Sequence, residues 1–163
     1  MWTRYLEKAK EMGARDTLVI SPAAVVTAPW VRHKCQFGCE HYGKSLCCPP
    51  RTPTWKETRE ILDSFSVAFL IHNTGWNTTE IVRTVSGMLF SAGYYKTIAF
   101  GSGPCRLCKK CTLDDCPHRD AAIPSMEACG MDVFATARGL GFPIHVLENI
   151  NDPHNCYGLV LVK

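Results

Sequence analysis

The chain has 163 residues, 46% of them hydrophobic and 20% charged, with a formal net charge of +3. That composition describes a globular protein with enough chain to bury a core in one domain spanning residues 1–163. The basic residues are scattered, so nucleic-acid binding is not expected, and no apolar run approaches the roughly 20 residues of a membrane span. The segment Met1 to Lys10 alternates charged and apolar residues without the apolar stretch of a signal peptide, which points to a cytoplasmic protein.

In chain order, Thr3 to Met12 is expected to form a helix closed by Gly13. Thr17 to Thr27 is rich in β-formers but interrupted by Pro22, the pattern of a bulged or edge strand. Thr54 to Phe65 reads as a helix, with Thr54 and Glu57 at the spacing of a capping box. Val67 to His72 has the short apolar run of a buried strand. From Thr79 to Gly93, the apolar residues Ile81, Val82, Val85, Met88 and Leu89 recur at helical spacing; Glu80 suits the first turn and Gly93 the stop. Lys96 to Gly101 reads as a strand, Ser125 to Gly139 as a second long helix, and His145–Leu147 and Tyr157–Val162 as closing strands. The order predicts an α/β fold, with α+β as the alternative: a single sheet with packed helices and two cysteine-rich metal-binding loops.

There are ten cysteines. Where thiols are kept reduced, that density favours metal over disulfides. Four of them form the run Cys105, Cys108, Cys111 and Cys116-Pro117, which is the cluster-binding run of bacterial ferredoxins with one surplus residue in the last gap. Structural zinc sites also use C-x2-C pairs, but as two pairs separated by a long spacer; three cysteines in succession fit a cluster better. A second loop carries Cys35, Cys39, Cys47 and Cys48-Pro49-Pro50. Gly38 and Gly43 permit left-handed backbone there, turning amides towards bound sulfide. Cys47 and Cys48 are adjacent and diverge, so one of them joins the centre; Cys48 is preferred because Cys-Pro repeats the arrangement at Cys116.

Two ligation schemes remain open. The local scheme gathers Cys105, Cys108, Cys111 and Cys116 on one cluster. The crosswise scheme pairs Cys105, Cys108 and Cys111 with Cys48, and Cys35 and Cys39 with Cys116 and one further ligand, as in two-cluster ferredoxins.

His41 and His118 lie in or beside the loops, where histidines more commonly tune a site than ligate it. Lys109 and Lys110 either offset thiolate charge or meet an acidic docking partner. Gly101-Ser102-Gly103-Pro104 lacks the lysine and spacing of a phosphate loop. Trp55, Trp76, Tyr94 and Tyr95 read as core or surface aromatics. No nucleophile motif, paired-carboxylate motif or dinucleotide fingerprint accompanies them, so hydrolysis and hydride transfer have no visible apparatus.

The signatures Cys35-x3-Cys39…Tyr42-Gly43…Cys48-Pro49-Pro50 and Gly103-Pro104-Cys105-x2-Cys108-x2-Cys111…Cys116…Pro124-Ser125-Met126-Glu127-Ala128 resemble a prokaryotic family of predicted metal-binding proteins, domain of unknown function 2284, common in anaerobes. The resemblance covers nearly the whole chain. It implies a metal centre of iron–sulfur type held by Cys35, Cys39, Cys48, Cys105, Cys108, Cys111 and Cys116, and it implies no substrate. Cys47, Cys129 and Cys156 fall outside that pattern and are expected to be buried or incidental. The reading is an iron–sulfur protein with one or two [4Fe–4S] clusters that exchanges electrons with a redox partner protein. A zinc-stabilised interaction module is one alternative. Seven thiols for two four-iron clusters leave one iron without a cysteine, so the other is a cluster-dependent enzyme with an open iron near Cys35, Cys39 and Cys48.

Overall fold

A computed structural model describes residues 1–149 and 151–163. Its helices are α1 (Thr3–Glu11), α2 (Pro29–Gly38), α3 (Trp55–Asp63), α4 (Thr78–Ser91) and α5 (Val133–Gly139). Its strands are β1 (Asp16–Ile20), β2 (Val67–Asn73), β3 (Thr97–Phe100) and β4 (Cys156–Val162). The strands form one antiparallel sheet in the order β1-β2-β4-β3. This is the expected architecture of a single sheet with packed helices.

Both central strands are apolar on both faces, as a strand covered from either side must be. Phe69 and Ile71 of β2, with Val160 and Val162 of β4, pack against Tyr5 of α1 and Ile81, Val85 and Leu89 of α4. Ala68, Leu70, Leu159 and Leu161 face the other way, onto Leu62 of α3 and Val133 and Ala137 of α5. The edge strand β1 is largely exposed and ends at Ile20, earlier than its sequence suggested, because Ser21-Pro22 opens a 3₁₀ turn instead. The capping box of α3 is present: the Thr54 N–H donates to Glu57 Oε2 at 2.7 Å, and the Glu57 N–H returns to Thr54 Oγ1 at 3.3 Å. No helix among the described residues is long and apolar enough to cross a membrane.

Three expectations are corrected. Cys35 does not lie in a loop; α2 runs to Gly38, begun by Pro29 in its first turn, where the missing N–H is not needed. Ser125–Gly139 is not one helix. A 3₁₀ turn spans Glu127–Cys129, Gly130 takes a left-handed φ of 78°, and Asp132 starts the short α5 by accepting the Ala135 N–H at 2.8 Å. His145–Leu147 forms no strand, since both flanks of β4 are already occupied by β2 and β3.

Candidate metal centre

The first thiol group is built from the end of α2. Cys35 lies in the last turn of α2, and Cys39 follows directly as its C-cap in extended backbone. Gly38 is the last helical residue and not a left-handed turn; that role falls to Gly43, with φ 73°. The turn lets the Gly43 N–H donate to the Pro49 carbonyl at 2.8 Å, folding residues 43–49 into a closed loop. Within it the Cys47 N–H bonds to Ser45 Oγ at 3.1 Å and the Cys48 N–H to the Ser45 carbonyl at 3.2 Å. Arg32 of α2 holds the exit of the loop, donating to the carbonyls of Thr52, Pro53 and Pro50 at 3.1, 3.3 and 3.2 Å.

The second group hangs from the end of β3. A short parallel bridge between Gly101 and Ser125 closes the neck of this loop. There the Gly101 N–H donates to the Pro124 carbonyl at 2.8 Å and the Met126 N–H to the Gly101 carbonyl at 3.1 Å. The two loops then lean on each other. The Leu46 N–H of the first reaches Cys111 Sγ of the second at 3.4 Å, and Arg51 meets Asp114 at 3.4 Å.

Together they enclose two thiol-lined cavities. The smaller, about 180 Å³, is lined by Cys35, Cys39 and Cys48, with Tyr42 and Glu127 beside them. The larger, about 750 Å³, is lined by Cys105, Cys108, Cys111 and Cys116, and also by Cys47. His41 and Pro104 line both, so the cavities share a wall. The structure therefore groups the thiols locally: Cys48 lies with Cys35 and Cys39, and Cys116 with its sequence neighbours. Cys47 and Cys48 do diverge, and Cys47, buried as expected, also lines the larger cavity. Lys109 and Lys110 line that cavity as exposed residues; His118 lines neither. Cys129 is buried in the core below the sheet. Among the described residues, no three His, Cys, Asp or Glu side chains converge closely enough to hold a single metal ion.

Burial raises the thiol pKa at Cys35 and Cys48, and with the neighbouring Cys105 pushes Cys47 up to about 12. Cys111 is shifted the other way. The backbone amides of Leu46 and Leu113, each 3.4 Å from its sulfur, favour the thiolate. Glu127 keeps some exposure as a residue, but its carboxyl is enclosed by protein, and that burial raises its pKa. This carboxyl beside three thiols was not anticipated as a donor; the sequence offered it only as part of the Pro124-Ser125-Met126-Glu127-Ala128 signature. Thiol-rich cavities of this kind suit soft metals and iron–sulfur cores.

No curated protein and no solved structure matches the chain. One family does, over residues 18–162, and it is described as "Predicted metal-binding protein (DUF2284)". With nine-tenths of its length inside that match and eight of its ten cysteines lining two cavities, the chain belongs to this family of predicted metal-binding proteins.

Proposed function

We propose that the protein binds iron–sulfur clusters in the two adjoining cavities and uses them for electron transfer. The observation that carries this reading is the spread of the thiols. A single zinc needs its sulfurs about 2.3 Å from one point. Here they stand around open volumes instead, as the ligands of a polynuclear core must. Cys105, Cys108, Cys111 and Cys116 would hold one [4Fe–4S] core, with Cys47 as a neighbouring thiol. Cys35, Cys39 and Cys48 would hold a second, with the Glu127 carboxylate facing the iron that lacks a thiol. When bound, such clusters supply one-electron redox chemistry.

The chain's own contribution is to orient and tune. The Leu46 and Leu113 amides hydrogen-bond Cys111 Sγ, the kind of contact that sets a cluster's potential. Lys109 and Lys110 border the larger cavity and suit an acidic redox partner protein. A second reading, a cluster-dependent enzyme, is favoured by the three-thiol cavity, where the iron without a thiol would have the Glu127 carboxylate as its one protein ligand and could exchange it for a substrate.

Purification under anaerobic conditions tests the first reading. Brown protein with about four or eight irons and matching sulfide per chain is expected. Colourless protein with one or two zincs overturns it.

A further inference from the structure

A third cavity, about 590 Å³, lies on the far side of the chain from Gly103 to Leu107, with Cys105 in its wall. Its size is that of a small-molecule site, and the metal assignment does not use it. Its floor is the first turn of α4, a 14-residue helix. Helix N-termini present unpaired N–H groups and favour anions. No side chain caps this one, because Asn77 at the N-cap turns away and donates to the Met12 carbonyl at 2.9 Å. Thr78 also lines the cavity. It is 1% exposed, and its hydroxyl has no hydrogen-bond partner among the described residues. Its lining includes two exposed cations, Arg83 and Arg106, and one carboxylate, Glu80.

The other wall carries the apolar surface. Trp76 stands 68% exposed with the Arg106 guanidinium 4.9 Å from its ring centroid, and Leu107 continues the surface. The cavity is held open by a reciprocal pair of bonds: Thr79 Oγ1 donates to the Ser102 carbonyl and accepts the Ser102 N–H, both at 3.2 Å.

We propose that this cavity binds a small organic anion, a carboxylate or a phosphate ester, that carries a flat apolar body. The anionic group sits on the first turn of α4 and the Thr78 hydroxyl, near Arg83, and the body lies against Trp76. A ligand so placed touches the Cys105 loop, which gives the cysteine centre a bound small molecule at its side. The site stands whichever metal the thiols hold.

Calorimetric titration of the purified protein with phenyl phosphate, benzoate, inorganic phosphate and phenol tests this. At least one of the two aryl anions is expected to bind at a single site and more tightly than phenol; which one binds separates phosphate from carboxylate. Arg83→Gln, at an exposed position, should weaken that binding about tenfold. Trp76→Ala should weaken the aryl anion and leave inorganic phosphate unchanged. Neither substitution touches a thiol, so metal content measured on the same samples separates this site from the cluster assignment. No binding of either aryl anion up to about 10 mM, equal binding of phenol, or unchanged affinity in Arg83→Gln overturns the proposal.

Discussion

Gly130→Ala is expected to be among the most damaging single-methyl changes in this chain. The residue ends the 3₁₀ turn that carries Glu127, and its carbonyl accepts the Ala28 N–H at 2.9 Å, just ahead of α2. Its φ of 78° costs a non-glycine residue about 1–2 kcal/mol. A Cβ there would also lie 2.7 Å from Cβ and 2.9 Å from Cα of Trp55, the first residue of α3. Backbone at a helix start cannot swing aside, so overpacking adds about 1–3 kcal/mol. The sum, about 2–5 kcal/mol, corresponds to a urea midpoint lowered by about 1–2.5 M for a slope near 2 kcal/mol per molar. Urea unfolding followed by circular dichroism, at matched metal content, measures it. Gly87→Ala is the control: Gly87 is an exposed residue inside α4 with nothing within 4 Å of an added Cβ, and the change should stabilise by about 0.5–1 kcal/mol. A Gly130→Ala midpoint within about 0.3 M of the parent would show that the turn relaxes freely and would refute overpacking against Trp55.

Cys48→Ser should remove about half the iron of a two-cluster protein, whereas Cys47→Ser should leave the iron count unchanged, because four other thiols line its cavity. Iron analysis of the two variants decides it, and equal losses from both would argue against separate centres. Glu127→Gln should alter the EPR signal of only one of two clusters, the one also perturbed by Cys48→Ser. Burial pushes the Cys129 thiol from 9.0 up to about 12. The native chain then keeps a proton that the unfolded chain releases, so this stability is intact below pH 9 and lost as pH rises towards 12, at up to about 1.4 kcal/mol per unit. Denaturation at pH 8 and pH 10.5 should show a flatter decline for Cys129→Ala than for the parent. Arg32→Ala removes three bonds to the exit of the first loop and should cost about 2 kcal/mol, with faster proteolysis between Cys48 and Pro53.

What the sequence revealed and what it hid follow from how local each signal is. The Thr54–Glu57 box, the apolar runs of β2 and β4 and the helical spacing of α4 are encoded within a few residues, and each appears where expected. The break at Gly130 depended on a bridge between Met131 and Thr27, far apart in sequence, and periodicity alone carried Ser125–Gly139 through as one helix. Helix α2 had a usable signal, Pro29 at its first position with Gly38 at its end, overshadowed by Cys35 within it and Cys39 just past it. The choice between local and crosswise grouping was illegible, because the side to which Cys47 and Cys48 turn is set by the Ser45 and Gly43 bonds rather than by their spacing. Glu127 joins Cys35, Cys39 and Cys48 only because the 3₁₀ turn brings it back under the end of α2.

The shared wall gives the two cavities a common fate. Cys47 and Cys48 are consecutive residues, yet one lines each cavity, so the walls of the two cavities are one peptide unit apart there. The loops also bond across the boundary through the Leu46 amide and Cys111 Sγ and through Arg51 and Asp114. Charge placed in one cavity is therefore felt in the other across a short path, where Coulomb interactions at a protein surface are stronger than in bulk water. Two clusters so placed would not titrate independently; reduction of the first would make reduction of the second harder. Nor would the loops fold independently, since the donor to Cys111 comes from the loop that carries Cys47 and Cys48. Ordering one thiol group around its metal fixes the amide that the other group needs.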